Sequence, residues 1–170
     1  WVIIAFYSAV SWYDVYKKTG SWSGPTSWRL LHMTYSDWWG LFGSDVFLIA
    51  WTFVAVPLQA LIAKDIIPSR GVGSWLIRHI ISLSPILIGV KICTMKSWPN
   101  FQIATFLAHA TVLFMKMHSY LAHNAELHEK SLSKKRTDKV SNYPANVTLS
   151  DFAHFLLCPT LIYKTSYPKT

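Results

Sequence analysis

The 170-residue chain is 52% hydrophobic and only 14% charged, against about 25% charged residues in a typical soluble domain. Its net charge of +8 sits between apolar runs and in one hydrophilic stretch, the placement of basic loops beside membrane spans and not of a nucleic-acid-reading element. Cys93 and Cys158 lie in apolar surroundings with no C-x-x-C spacing, which excludes a disulfide framework and a zinc site and predicts two buried thiols.

The chain begins at Trp1 and enters an apolar run at once; residues 1–13 read as the cut end of a first span, and no signal peptide is recognised. Residues 14–44 mix Gly, Ser and Trp and read as a loop with interfacial tryptophans. Residues 46–63 carry no charge between Asp45 and Lys64 and form the clearest second span, with a kink expected at Pro57. A short basic loop, 64–70, leads into Gly71 and Gly73. The third span is expected over 75–93, broken by Pro85, with Arg78 and Lys91 snorkelling towards the two interfaces. A fourth covers 97–122: its core to Met115 is uncharged between Lys96 and Lys116, and Lys116–Asn124 extends it towards water. Residues 123–150 read as a hydrophilic loop containing Lys130, Lys134, Lys135, Arg136 and Lys139. Residues 152–163 are apolar but hold Pro159 and are too short to cross, so a re-entrant, interfacial or short helical segment is expected. The fold class is therefore all-α, a multi-span transmembrane helical bundle.

Loop charge orients the chain. The most basic loop follows the fourth span and is cytoplasmic, as is the loop holding Lys64 and Arg70; the turn at Lys91 and Lys96 faces the other side. The sequon Asn146-Val147-Thr148 then faces the cytoplasm and is not a glycan acceptor.

At 100° per residue, Gln102, Thr105, His109, Lys116, Tyr120 and His123 share one narrow stripe of the fourth span, opposite Leu107, Phe114 and Leu121. Such a stripe faces protein or water: a wall of a substrate tunnel, with His109 and Lys116 on it, or hydrogen bonding between helices. His118, His123 and His128 are spaced by five, which puts them on different faces and predicts no metal site. Asp37-Trp38-Trp39 reads as an interfacial loop. No phosphate loop, G-x-S-x-G elbow or H-E-x-x-H motif is present.

The run Phe114-Met115-Lys116-Met117-His118-Ser119-Tyr120, then Tyr143-Pro144-Ala145-Asn146-Val147-Thr148, Pro159-Thr160-Leu161-Ile162-Tyr163 and Tyr167-Pro168-Lys169-Thr170 resemble, in that order, the sterol O-acyltransferase branch of the membrane-bound O-acyltransferase family, its fungal members most. The resemblance covers about 60 residues and implies an N-terminal fragment of an endoplasmic-reticulum enzyme that transfers a fatty acyl group from acyl-CoA, its co-substrate, to the 3-hydroxyl of a sterol. It implies membrane lipids, sterol and acyl-CoA as partners, a homo-oligomer as one option, and no bound cofactor. The family's catalytic histidine, its asparagine and the F-Y-x-D-W-W-N motif all follow the last matched segment. No catalytic residue is therefore transferred here, and the fragment alone is expected to be inactive. Asp37-Trp38-Trp39 precedes the matched block and has Gly40 where that motif has Asn, so its likeness is coincidental. His118, Ser119 and Tyr120 carry over as motif residues. A diacylglycerol acyltransferase of the same superfamily and a transporter fragment are the competing readings.

Overall fold

In helix α1 (Trp38–Thr52), the Asp37 carboxylate accepts the backbone N–H of Gly40 at 3.2 Å and so caps the free amide groups of the first turn. The computed structural model describes residues 37–132 and 143–165, with residues 10, 13, 14, 16–18 and 20. Most of the expected first span (1–13), most of the first loop, the basic cluster 134–139 and the closing 167–170 lie outside the described residues. Those described form helices and no strands.

Two prolines act differently on the helices that hold them. Pro57 has no N–H for the carbonyl of Phe53, which accepts from Val56 at 3.1 Å instead. The path turns at residues 53–54 and resumes as α2 (Ala55–Ala63). Helix α3 (Val72–Met95), by contrast, runs unbroken through Pro85, where a break was expected. The carbonyl that Pro85 frees belongs to Ile81, and the Ser84 hydroxyl donates to it at 2.7 Å; the Trp51 indole of α1 donates to Ser84 in turn, also at 2.7 Å. A side chain thus restores the missing bond, as apolar surroundings require.

Helix α4 (Asn100–Leu132) is 33 residues long and continues ten residues into the stretch expected as a loop from 123. It runs antiparallel to α3. An added Cβ at Gly89 would lie 3.2 Å from the Ala110 Cβ, so the two backbones approach closely where both residues are small. Further along, His79 of α3 faces His118 of α4. Helix α1 runs parallel to α4. Their seam is apolar, with Leu48, Phe106, Ala110 and Leu113 buried. Trp98 and Lys96, in the α3–α4 connection, return to Asp37 at 2.9 Å and 3.5 Å. Residues 38–63 and 72–95 are each long and apolar enough to cross a membrane. The last helix, α5 (Leu149–Leu157), is capped by Thr148, whose hydroxyl accepts from Asp151 N–H at 3.1 Å. Residues 158–165 then double back, and α5 with this tail packs on α2 and α4 through Phe152, Phe155, Tyr163, Met117, Tyr120 and Leu121.

Candidate functional site

The five residues picked out by sequence do not form one wall. The structure places them in three locations on α4.

The first is the seam where residues 143–163 dock. Lys116 is 5% exposed. Its ammonium donates to the carbonyls of Phe155 (3.0 Å), Leu156 (2.8 Å) and Cys158 (2.6 Å) and lies 5.1 Å from the centre of the Phe155 ring. Three donors meet the free carbonyls at the C-terminus of α5, where the helix dipole favours a cation. Ser119 Oγ accepts the backbone N–H of Tyr163 at 2.8 Å. The buried Tyr120 ring packs edge-on against Phe152 (4.7 Å) and Tyr163 (4.9 Å). Beside it a polar chain crosses the seam. Asn146 Nδ2 donates to Asn124 Oδ1 at 2.7 Å and to the Tyr163 hydroxyl at 3.0 Å, and that hydroxyl donates to Asp151. Burial first, then the Asp151 carboxylate, holds the Tyr163 phenol above its usual pKa, so it stays a donor. His128 Nδ1 lies 3.0 Å from the Tyr143 hydroxyl.

The second location is a cleft of about 260 Å³ between α3 and α4, lined in part by Trp75, Arg78, His79, His118, Glu126 and Glu129. Here the His79 ring stacks at 4.1 Å on Trp75 and meets His118 edge-on at 5.4 Å. The third is His109, whose Nδ1 lies 2.5 Å from Asp45 of α1.

The three evenly spaced histidines reach different partners: His118 faces His79, His123 lies beside Tyr163, and His128 lies beside Tyr143 and 3.4 Å from Asp65. Asp37 acts as a cap. The Trp98 indole above all, and Lys96, hold its carboxyl below the ordinary carboxylate pKa, while the neighbouring Trp39 is 81% exposed. Both cysteines are half-buried and free rather than fully buried.

The chain aligns over its whole length with a probable sterol O-acyltransferase 2 of Schizosaccharomyces pombe, at 24% identity and across 40% of that protein. Over 90% of the chain it is 28% identical to diacylglycerol O-acyltransferase 1A of Glycine max, across 30% of that protein. Over 56% of the chain it is 30% identical to diacylglycerol O-acyltransferase 1 of Homo sapiens, across 22% of that protein. The chain is a relative of the sterol and diacylglycerol O-acyltransferases. It spans well under half the length of these curated relatives. No family model and no solved structure matches it.

Within that kinship the motif-bearing segments have a physical meaning. Tyr143, Asn146 and Tyr163, from the two short segments after the loop, bond or pack onto Ser119, Asn124 and His128 of α4. The first three ordered motifs, 114–120, 143–148 and 159–163, meet at one docked interface. Sequence reasoning missed Asp45, His79, Asn124 and Asp151. Asp45 was taken as a span boundary, and His79 shares no element with the stripe. Asn124 lies 22 residues from its partner Asn146, a pairing that no local periodicity reveals.

Proposed function

We propose that the chain is part of a multi-span endoplasmic-reticulum enzyme that transfers a fatty acyl group from acyl-CoA to a lipid alcohol, in the first reading the 3-hydroxyl of a sterol. The observation that carries this is the alignment of the whole chain with a sterol O-acyltransferase, joined to the motif order from Phe114 to Tyr163. Support for a third crossing by residues 97–122 comes from packing. The first 23 residues of α4 span roughly 34 Å and lie alongside α1 and α3, so they share the same slab. The polar side chains Lys116 and Tyr120 on that stretch are buried against protein, not lipid.

In the reaction, the alcohol oxygen attacks the thioester carbonyl, the alcohol proton passes to a base, and the CoA thiolate leaves and takes up a proton. A histidine base and its asparagine belong to other parts of the protein, as in the family. This chain contributes the apolar walls that keep water from the thioester and the docked cytoplasmic segment. A diacylglycerol acceptor is the second reading, supported by the 28% and 30% identities to diacylglycerol O-acyltransferases.

The test is to express the full-length gene in membranes of a host that makes neither steryl esters nor triacylglycerol, and to supply labelled acyl-CoA. Steryl ester is expected, and should vanish when the downstream family histidine is replaced. Triacylglycerol without steryl ester would move the acceptor to diacylglycerol. Absence of both products would refute the acyltransferase reading.

A further inference from the structure

We propose that Asp45 and His109 form a waypoint for the acceptor lipid on its path to the reaction centre, in which His109 Nε2 accepts the hydroxyl hydrogen before the lipid moves on to the catalytic base and Asp45 positions the ring; this rests on the acyltransferase reading above. The location is the first ground. Asp45 follows Asp37 by eight residues, and Asp37 with Lys96 and Trp98 marks the polar end of α1. At 1.5 Å per residue the carboxylate lies roughly 12 Å below that end, well inside a hydrocarbon layer about 30 Å thick. Ionisable groups at such depth are unfavourable against acyl chains and mark substrate or ion paths.

Geometry supplies the second ground. Asp45 Oδ1 lies 2.5 Å from His109 Nδ1. The carboxylate accepts Nδ1–H, which in the neutral ring leaves the lone pair on Nε2. Among the described residues Nε2 has no hydrogen-bond partner, and the His109 and Asp45 side chains are 37% and 31% exposed. Lys116 on the same helix is the opposite case, with all three donors used and almost no exposure. A pair that only tied α1 to α4 would gain nothing by leaving one ring nitrogen open.

The surroundings supply the third. Leu41, Leu48 and Ile49 flank Asp45 on α1, and Phe106, Ala110 and Leu113 flank His109 on α4. An apolar wall with one acceptor fits an apolar body carrying one hydroxyl. It does not fit the polyanionic end of acyl-CoA, which the Asp45 carboxylate repels. The ligand class is a lipid alcohol, which a sterol and a diacylglycerol share.

The test uses the full-length protein in membranes, with the acceptor alcohol varied at saturating acyl-CoA. His109→Leu and Asp45→Asn are expected to raise the apparent KM for the acceptor by about fivefold to tenfold, with the KM for acyl-CoA and the protein level unchanged. An unchanged acceptor KM, or an equal rise in both KM values, would overturn the proposal. A second measurement needs neither turnover nor a variant that folds. A photoactivatable lipid alcohol is expected to label the α1 and α4 peptides around Asp45 and His109 in the wild-type protein, and unlabelled alcohol should suppress that labelling at least about fivefold better than its deoxy analogue; equal competition, or no label on those peptides, would overturn the proposal. A wild-type protein that makes no ester refutes the acyltransferase reading alone, because the labelling preference still decides the hydroxyl site.

Discussion

Lys116 has the environment of a structural cation. Buried lysines persist where every donor has an acceptor, and here three carbonyls at one helix end supply them. Lys116→Ala removes all three bonds at once. It should destabilise the docking of residues 143–163 by about 2 kcal/mol, the scale of hydrogen bonds to a charged group, with lower protein abundance. Limited proteolysis in detergent checks this: faster cleavage within 143–165 is expected, and a wild-type cleavage rate with wild-type abundance would refute the cap. At the same scale, Asp37-Trp38-Trp39 loses its suggestion of chemistry. The carboxylate folds over Gly40, where an added Cβ would fall 2.3 Å from Asp37 Oδ2. The glycine that departs from the family's D-W-W-N spelling is the residue this cap needs.

At the scale of elements, backbone hydrogen bonding explains why one proline turns the chain and the other does not. Phe53 finds only a nearby backbone N–H, whereas Ile81 is served by Ser84. The α3–α4 contact rests on small residues, so a large side chain at its crossing should part the helices. Gly89→Leu is expected to destabilise the pair by about 2 kcal/mol, in the range of overpacking. A cysteine pair at positions 79 and 118 reports it: cross-linking should fall severalfold in the Gly89→Leu background. Unchanged cross-linking would show that the crossing is looser than the structure has it. The length of α4 was only partly legible. Charged residues past 122 look like a loop by composition, yet they continue a helix: Asn124, Leu127 and His128 are buried, with Asn124 on Asn146 and His128 on Tyr143 of the docked segment, while Glu126 and Lys130 pair at 2.7 Å on the exposed side.

For the whole molecule, the arrangement puts Asp37, Lys96 and Trp98 at one end and residues 64–71 with the docked segment at the other. In the orientation proposed above the sequon at Asn146 faces the cytoplasm, and its amide is also committed to Asn124 and Tyr163. No glycan is expected there. Endoglycosidase treatment of the protein made in microsomes should leave its gel mobility unchanged, and a shift would overturn the orientation. The sequence by itself determined that the chain is helical and apolar and which family it resembles, because hydropathy and motif order are local properties read residue by residue. Only the tertiary structure decided what the polar residues of α4 do. The 100° stripe put His109, Lys116 and Tyr120 in one row, but the row is shared out among neighbours. Asp45 of α1 takes His109, while the end of α5 takes Lys116 and the packed ring of Tyr163 takes Tyr120. Periodicity fixes the direction in which a side chain leaves its helix. What stands in that direction depends on elements 39 to 64 residues distant in the chain, and on which of them can supply an acceptor, a carboxylate or a ring.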